Sequence, residues 1–429
     1  MSSHRYEKSE HHLRRAEITI PLGSQTFSKS RTQYPVGISP LFIKRAKGSY
    51  VWDIDGNKYI DLVSSLASVT LGYGDKRVQR AVNSQLKKGV SFSLPGILEA
   101  EVAELICHLV PSAEMVRFGK NGSDATSAAV RLARAFTAKD HVVVCGYHGW
   151  QDWYIGSTSR NKGVPSAVSE LTHSFPYNDL AALENLLEKN SQIACVVMEP
   201  MNSVFPNEGF LEGVRELTTK YGVVLIFDET ITGFRFAKGG AQELFGVIPD
   251  LSTFGKGIAN GFPLSAVVGR RDIMMEMEEI FFSGTFGGEL LSLVAAKSVL
   301  TSLVKSDFTQ ILSKHGAQLS SGVEKLISAH SLHDVLQFSG HSTWRFLNWK
   351  TKNGFTENEL KTYFLQEMFS QGVLVMSTHN VTLSHSNKII QKVFEAYDRT
   401  LGKIALELEQ NSLRENLKAL PVEPLFKVR

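Results

Sequence analysis

The sequence predicts an α/β protein, with a large domain around a mostly parallel sheet and a smaller α+β domain built from both chain ends. Three observations carry that expectation. From about residue 75 to 300, short apolar runs alternate with stretches whose apolar residues recur at helical spacing, the pattern of successive βαβ units. Most of the runs are continuous rather than alternating, as expected of strands covered on both faces. A chain of 429 residues with 43% hydrophobic content also has enough apolar material for a large core and two domains.

Taken in order, residues 1–30 are polar and read as a solvated arm. The cluster His11, His12, Arg14, Arg15 has no partner ligands that would make it a metal site. Residues 31–74 hold PLFIKRAKGSYVWDIDGNKYIDL, short β-rich runs punctuated by Lys47-Gly48 and Asp55-Gly56-Asn57, which reads as a meander of hairpins. Residues 75–304 form the large domain. Its candidate strands are MVRF (115–118), HVVVCG (141–146), IACVVM (193–198), VVLIF (223–227), LSTF (251–254) and LSAVVG (264–269). Between them FLEGVRELTTKYG reads as an amphipathic helix closed by Gly222. Over 305–429 helices and strands mix again, and this stretch joins 31–74 in the smaller domain.

Composition removes several classes of function. A formal charge of +3 without a long basic run implies neither nucleic acid nor a membrane surface as partner. Cys107, Cys145 and Cys195 lie far apart, without CxxC or metal-ligand spacing, so no metal is expected and a reducing, cytoplasmic setting is. No run approaches the roughly 18–20 apolar residues of a membrane span, and MSSHRYEKSEHHLRRAE lacks the apolar core of a signal peptide.

In open parallel sheets ligands sit beyond the carboxyl ends of the strands, so the residues there matter most. MVRF is followed by Gly119-Lys120-Asn121-Gly122-Ser123-Asp124, leading into a helix. Such a loop offers N–H groups, a hydroxyl and the positive end of a helix dipole to an anion such as phosphate, although Ser123 acting only as a helix cap remains an alternative. Tyr147 and His148 follow HVVVCG, Glu199 follows IACVVM, and Asp228 follows VVLIF. At the end of an apolar strand Asp228 needs a cation or strong donor to stay ionised. Arg235 could supply it, or a protonated heterocyclic nitrogen. Lys256 sits between Gly255 and Gly257 just past LSTF, where backbone approaches closely and a lysine in reduced water becomes a usable amine. A plain turn is the other reading of Gly-Lys-Gly.

Phosphate loop, aromatic, carboxylate and lysine, in that order, resemble the fold-type I enzymes dependent on pyridoxal 5′-phosphate (PLP), in their class-III aminotransferase branch. The resemblance runs from about residue 31 to 400. Its most specific pieces are SPLFIKRAKGSYVWDIDGNKYIDL, MVRFGKNGSDATSAAVRLARAF, YHGW, LIFDETITGFR, PDLSTFGKGIANGFPLSAVVGRRDIM and SGTFGGELLSLVAA. It implies a mostly parallel seven-stranded sheet and PLP as cofactor, bound to Lys256 as a Schiff base. Asp228 would pair with the ring nitrogen, Gly122 and Ser123 would hold the phosphate, and Tyr147 would stack on the ring. His148 and Glu199, the latter in a Glu-Pro motif, complete the cofactor-binding set. Thr285 would reach the phosphate of a neighbouring subunit's cofactor, which makes the site shared and the protein a homodimer. Arg31, counted back from Ser39-Pro40, would take a substrate carboxylate in a bidentate fork.

The implied reaction is transfer of an amino group from a small-molecule amino donor to a ketone or aldehyde acceptor. The alternative is an intramolecular 2,1-aminomutase of the glutamate-1-semialdehyde type. A non-catalytic relative would have lost part of the set formed by Lys256, Asp228 and the phosphate loop, and all are present. The departures fall mostly on the substrate side. The usual Asn-Ser-Gly-Thr-Glu loop is Lys-Asn-Gly-Ser-Asp at 120–124, and Ser65-Leu66-Ala67 stands where the aminomutases have Ser-Trp-Gly. His379-Asn380-Val381 replaces their substrate-facing Phe-Glu-Ala, and Phe-Gly-Gly-Glu follows Thr285 in place of Ser-Gly-Asn-Pro.

Overall fold

In chain order the strands are β1 (Ile43–Lys47), β2 (Tyr50–Asp53), β3 (Lys58–Asp61), β4 (Met115–Gly119), β5 (His141–Cys145), β6 (Thr172–Ser174), β7 (Ile193–Met198), β8 (Val224–Asp228), β9 (Leu251–Phe254), β10 (Ser265–Gly269), β11 (Leu336–His341), β12 (Trp344–Trp349), β13 (Val373–Leu374) and β14 (Thr378–Asn380). The structure is a computed structural model that describes residues 5–422. Residues 1–4 of the expected arm and 423–429 of the expected smaller domain lie outside the described residues. The chain divides into two units. One takes in the described chain up to Ser64, Leu71–Gly74 and the chain from Ile311; the other holds Ser65–Thr70 and Asp75–Gln310. The changeover at Gln310 lies inside the helix Phe308–Ala329 rather than at 304.

The second unit is built on a seven-stranded sheet in the order β4-β10-β9-β8-β7-β5-β6. Strands β9, β8, β7, β5 and β6 run parallel, and β10 is antiparallel to both its neighbours. All residues of β7, β8, β9 and β10 are buried, which is why their sequences are rich in apolar residues without an alternating polar face. The helix Gly122–Thr137 covers one face with Ala125, Ala128, Ala129, Leu132 and Ala133, small enough to let it lie close on the sheet. Leu183, Leu187, Phe210, Leu211 and Val214 cover the other face. The sequence reading missed β6, whose Thr-His-Ser carries no apolar run and only extends the edge beside β5.

The first unit holds two small sheets, β1-β2-β3-β13 and β11-β12-β14. The solvated arm expected over 1–30 is corrected: Glu7–Thr19 is a helix, with Tyr6, Ser9 and Leu13 buried. The Asp55 carboxylate accepts the Lys8 and Ser9 amides at 2.7 and 3.0 Å, satisfying two orphan donors at the helix start. A stripe of three inward residues in a polar stretch is too narrow to read from sequence. His379, Asn380 and Val381, which replace the aminomutases' substrate-facing Phe-Glu-Ala, are likewise buried in this unit. Among the described residues no helix is long and apolar enough to cross a membrane.

Candidate active site

The carboxyl ends of β4, β5, β7, β8 and β9 carry the chemistry of the second unit. Past β4 the helix Gly122–Thr137 begins, and the Asp124 carboxylate folds back onto the amides of Lys120 and Asn121 at 3.0 and 2.8 Å. The amides of Gly122 and Ser123 have no partner among the described residues and are the positive end of the helix. Two close approaches shape the space beside them. A Cβ on Gly149 (φ +106°) would meet Ser123 Oγ at 2.3 Å, and one on Gly122 would meet the Thr230 methyl at 3.0 Å. The same methyl would lie 3.2 Å from a Cβ on Gly255, and Gly122 Cα 3.9 Å. The glycine before Lys256 therefore lies against the phosphate-type loop. Thr230 Oγ1 is buried there without a hydrogen-bond partner.

Asp228, at the end of β8, is buried and its partners are His148 Nδ1 (2.9 Å), the Thr230 amide (3.1 Å) and the Thr253 hydroxyl (3.2 Å). Arg235, offered as an alternative partner, is not among them. Burial alone would raise the pKa of this carboxyl, but the hydrogen bond and charge of His148, with the nearby Thr230 side chain and the Thr230 amide, hold it below the ordinary carboxylate value. His148 is buried too, and its Nε2 has no partner. An ionised Asp228 keeps the proton on His148 Nδ1.

Glu199, past β7, accepts the Tyr147 amide at 3.1 Å and the Asn202 side-chain amide. Gly146 (φ +115°) makes this possible, since a Cβ there would lie 2.6 Å from Glu199 Oε2. Burial and the neighbouring Asp228 charge raise the Glu199 pKa against those donors and His148. Tyr147 is 47% exposed and packs edge-on against Tyr154. Lys256 opens the short turn Lys256–Ala259 with φ +41°. Burial pulls its amine below the ordinary lysine pKa, Asp228 and Glu199 pull the other way, and Arg235 adds to the fall. Gly257 packs so tightly that a Cβ would sit 2.7 Å from Thr70 Oγ1.

Gly122, Ser123, Tyr147, His148, Glu199, Asp228 and Lys256 thus share one end of one sheet. Thr285 belongs to the same unit but stands exposed on a loop with Phe281 and Phe286, 84% and 59% exposed. Arg31 belongs to the first unit and is engaged there, its Nε 2.5 Å from Glu17 Oε1. Sequence reasoning missed Thr230, Thr253 and Asn202. Thr230 stood two residues past Asp228 in the quoted LIFDETITGFR, and an unspent hydroxyl beside two glycines is visible only in three dimensions.

The family model for class-III aminotransferases matches residues 33–397. Glutamate-1-semialdehyde 2,1-aminomutase of Aquifex aeolicus (strain VF5) is 35% identical over 417 residues, 90% of this chain and 98% of that enzyme. Among solved structures, the PLP internal aldimine form of the FumI protein of Sphingopyxis sp. MTA144 superposes with a TM-score of 0.87 at 26% identity, covering 97% of this chain and 99% of that one. An omega-transaminase from Sphaerobacter thermophilus gives 0.85 at 26% identity, over 94% and 99%. The chain belongs to the class-III aminotransferase family.

Proposed function

We propose that this protein is a PLP-dependent aminotransferase that moves an amino group from an amino donor to a ketone or aldehyde of a small metabolite. One observation carries the reading: an unpaired anion cradle, a fixed buried carboxylate and a lysine of lowered pKa converge at one sheet end. The residues fit the cofactor of the family, because the buried Thr230 hydroxyl and the Gly122 and Ser123 amides are donors awaiting an anion. Bound there, PLP supplies an aldehyde that captures amines covalently and a protonated ring that takes up the electron pair left at carbon.

The chain's own residues do the rest. Ser123, the first helix amides and Thr230 hold the phosphate, and Tyr147 covers a ring face. Asp228 would pair with the ring nitrogen; three hydrogen bonds fix it, so little reorganisation would accompany the charge that develops. His148 positions Asp228, and Glu199 positions Tyr147 through its amide. Lys256 would hold the cofactor's aldehyde, and its amine, whose pKa burial has lowered, would take the proton at the donor's α-carbon. Arg31 is the residue that the family resemblance offers for a substrate carboxylate. The exposed Thr285 loop serves a second copy, making a homodimer with shared sites, and the stretch 75–304 is the cofactor-binding domain. Three unpaired cysteines suit a reducing cytoplasm.

The test is Lys256→Ala. The wild-type protein incubated with PLP should show the visible band of the lysine-bound cofactor, and the variant should bind PLP without it. An unchanged band would refute the assignment. The 35% identity to an aminomutase favours a second reading, an intramolecular 2,1-aminomutase. An aminotransferase requires two substrates in ping-pong order, whereas an aminomutase turns over with one.

A further inference from the structure

Two of the places where the chain departs from the aminomutase pattern meet in space. Lys120 precedes the anion cradle, and Glu289 ends the Phe-Gly-Gly-Glu run after Thr285. Across 169 residues, Lys120 Nζ donates to Glu289 Oε2 at 3.2 Å, with 21% and 13% of the side chains exposed. The carboxylate is held from its other side as well. It accepts the Leu291 and Ser292 amides at 2.7 and 3.1 Å and the Ser292 hydroxyl at 2.6 Å, capping the helix Leu290–Ser306.

The same segment is pinned to β4 at two further points. Arg117 Nη2 donates to the Phe282 carbonyl at 3.1 Å, and a Cβ on Gly287 would lie 3.3 Å from the Phe118 carbonyl oxygen. Between these pins residues 283–286 are exposed. The root is clamped and the tip, which carries Thr285, points outward. A half-buried ion pair is screened by salt far less than a surface one, so it can hold such a loop in register.

We propose that the Lys120–Glu289 ion pair is a positioning element that ties the phosphate-binding loop to the segment presenting Thr285 to a second copy of the chain. Ordering of the loop by a bound phosphate then stabilises the presented segment, and docking of the second copy in turn favours phosphate binding, as linkage requires. This rests on the PLP-enzyme reading above.

The experiment uses the full-length protein with Lys120→Met, Glu289→Gln, their combination, and the charge swap Lys120→Glu with Glu289→Lys. PLP affinity is measured by titrating the apoprotein, and the dimer dissociation constant is measured with and without PLP. Each single variant should weaken PLP binding about tenfold. The combination should be no worse than either single variant, the swap should recover part of the loss, and PLP should tighten the dimer less than in the wild type. Unchanged affinity in both single variants overturns the proposal. So does tighter binding by Glu289→Gln alongside weaker binding by Lys120→Met, because Lys120 would then serve the phosphate directly against a competing carboxylate. A wild-type protein that takes up no PLP would instead sink the enzyme reading itself.

Discussion

Lys256 sits among charges of both signs, and each leaves a separate mark on its amine. Burial and Arg235 disfavour the ammonium, while Asp228 and Glu199 favour it, and the net result is a lowered pKa. Glu199 is the member of this set that can be neutralised with little change of shape, since Gln keeps an oxygen for the Tyr147 amide. Above the pH at which Glu199 ionises, its carboxylate stabilises the Lys256 ammonium, so Glu199→Gln should lower the lysine's pKa further. In the apoprotein at mildly alkaline pH, Lys256 of the variant should react several-fold faster with an amine-selective reagent, read by mass spectrometry. Equal rates would mean that the Glu199 charge does not reach the amine. These residues were legible in the sequence because each interrupts or ends an apolar run: Asp228 after VVLIF, Glu199 after IACVVM, Lys256 after LSTF. Thr230 and Asn202 were not, since a hydroxyl or amide in a loop gains meaning only from what it faces. Lys120 and Glu289 have no local signature either, and 169 residues separate them.

At the scale of elements, the turn Ser64–Ala67 departs furthest from what its residues favour. Ser64, Ser65, Leu66 and Ala67 have φ of 48°, 50°, 58° and 66°, a left-handed turn without a glycine. Such backbone costs roughly 1–2 kcal/mol for each L-residue, and nothing in Ser-Ser-Leu-Ala announces it. Later contacts impose it: the Ser65 carbonyl takes the Ser68 hydroxyl and amide, at 2.8 and 3.2 Å, and Thr70 donates its amide to Asn260 at 2.9 Å. Ser65→Gly should relieve the strain and, after the greater chain entropy of glycine, stabilise the protein by about 0.5–1 kcal/mol. Ser65→Val, β-branched, should destabilise it by at least as much. Midpoints of urea unfolding check both, and a loss of stability in the glycine variant would show that the turn is not strained. The strands tell the opposite story. Those of the seven-stranded sheet that are buried on both faces were visible as mostly apolar runs, and only β6, polar and three residues long, escaped.

For the molecule as a whole, the division of labour between the units was half legible. The alternation of strands and helices over 75–304 announces its own architecture, whereas the first unit gathers segments from both chain ends whose polar residues turn inward. His379 is the clearest case. It pairs with Arg345 of β12 from the edge strand β14 and is hydrogen-bonded to the buried Tyr397 hydroxyl. Burial depresses its pKa from 6.5 to about 4. The imidazole is neutral in the folded protein over a range where the unfolded chain binds a proton. Its contribution to stability is therefore intact above pH 6.5 and is lost progressively as pH falls toward 4. At about 1.4 kcal/mol per pKa unit, the loss amounts to about 3 kcal/mol. His379→Gln keeps an acceptor for Tyr397 without the titration. The variant should be somewhat less stable than the wild type at pH 7.5 and lose distinctly less stability between pH 7.5 and 4.5. Trp344 and Trp349 lie in β12, so their fluorescence reports unfolding of that sheet directly. Parallel losses in the two proteins would mean that His379 is not the proton-sensitive group of the first unit. The acid sensitivity would then belong to Asp334, Glu359 and Glu407, whose hydrogen-bond donors hold their carboxyl pKa values below the ordinary range, with the same sign.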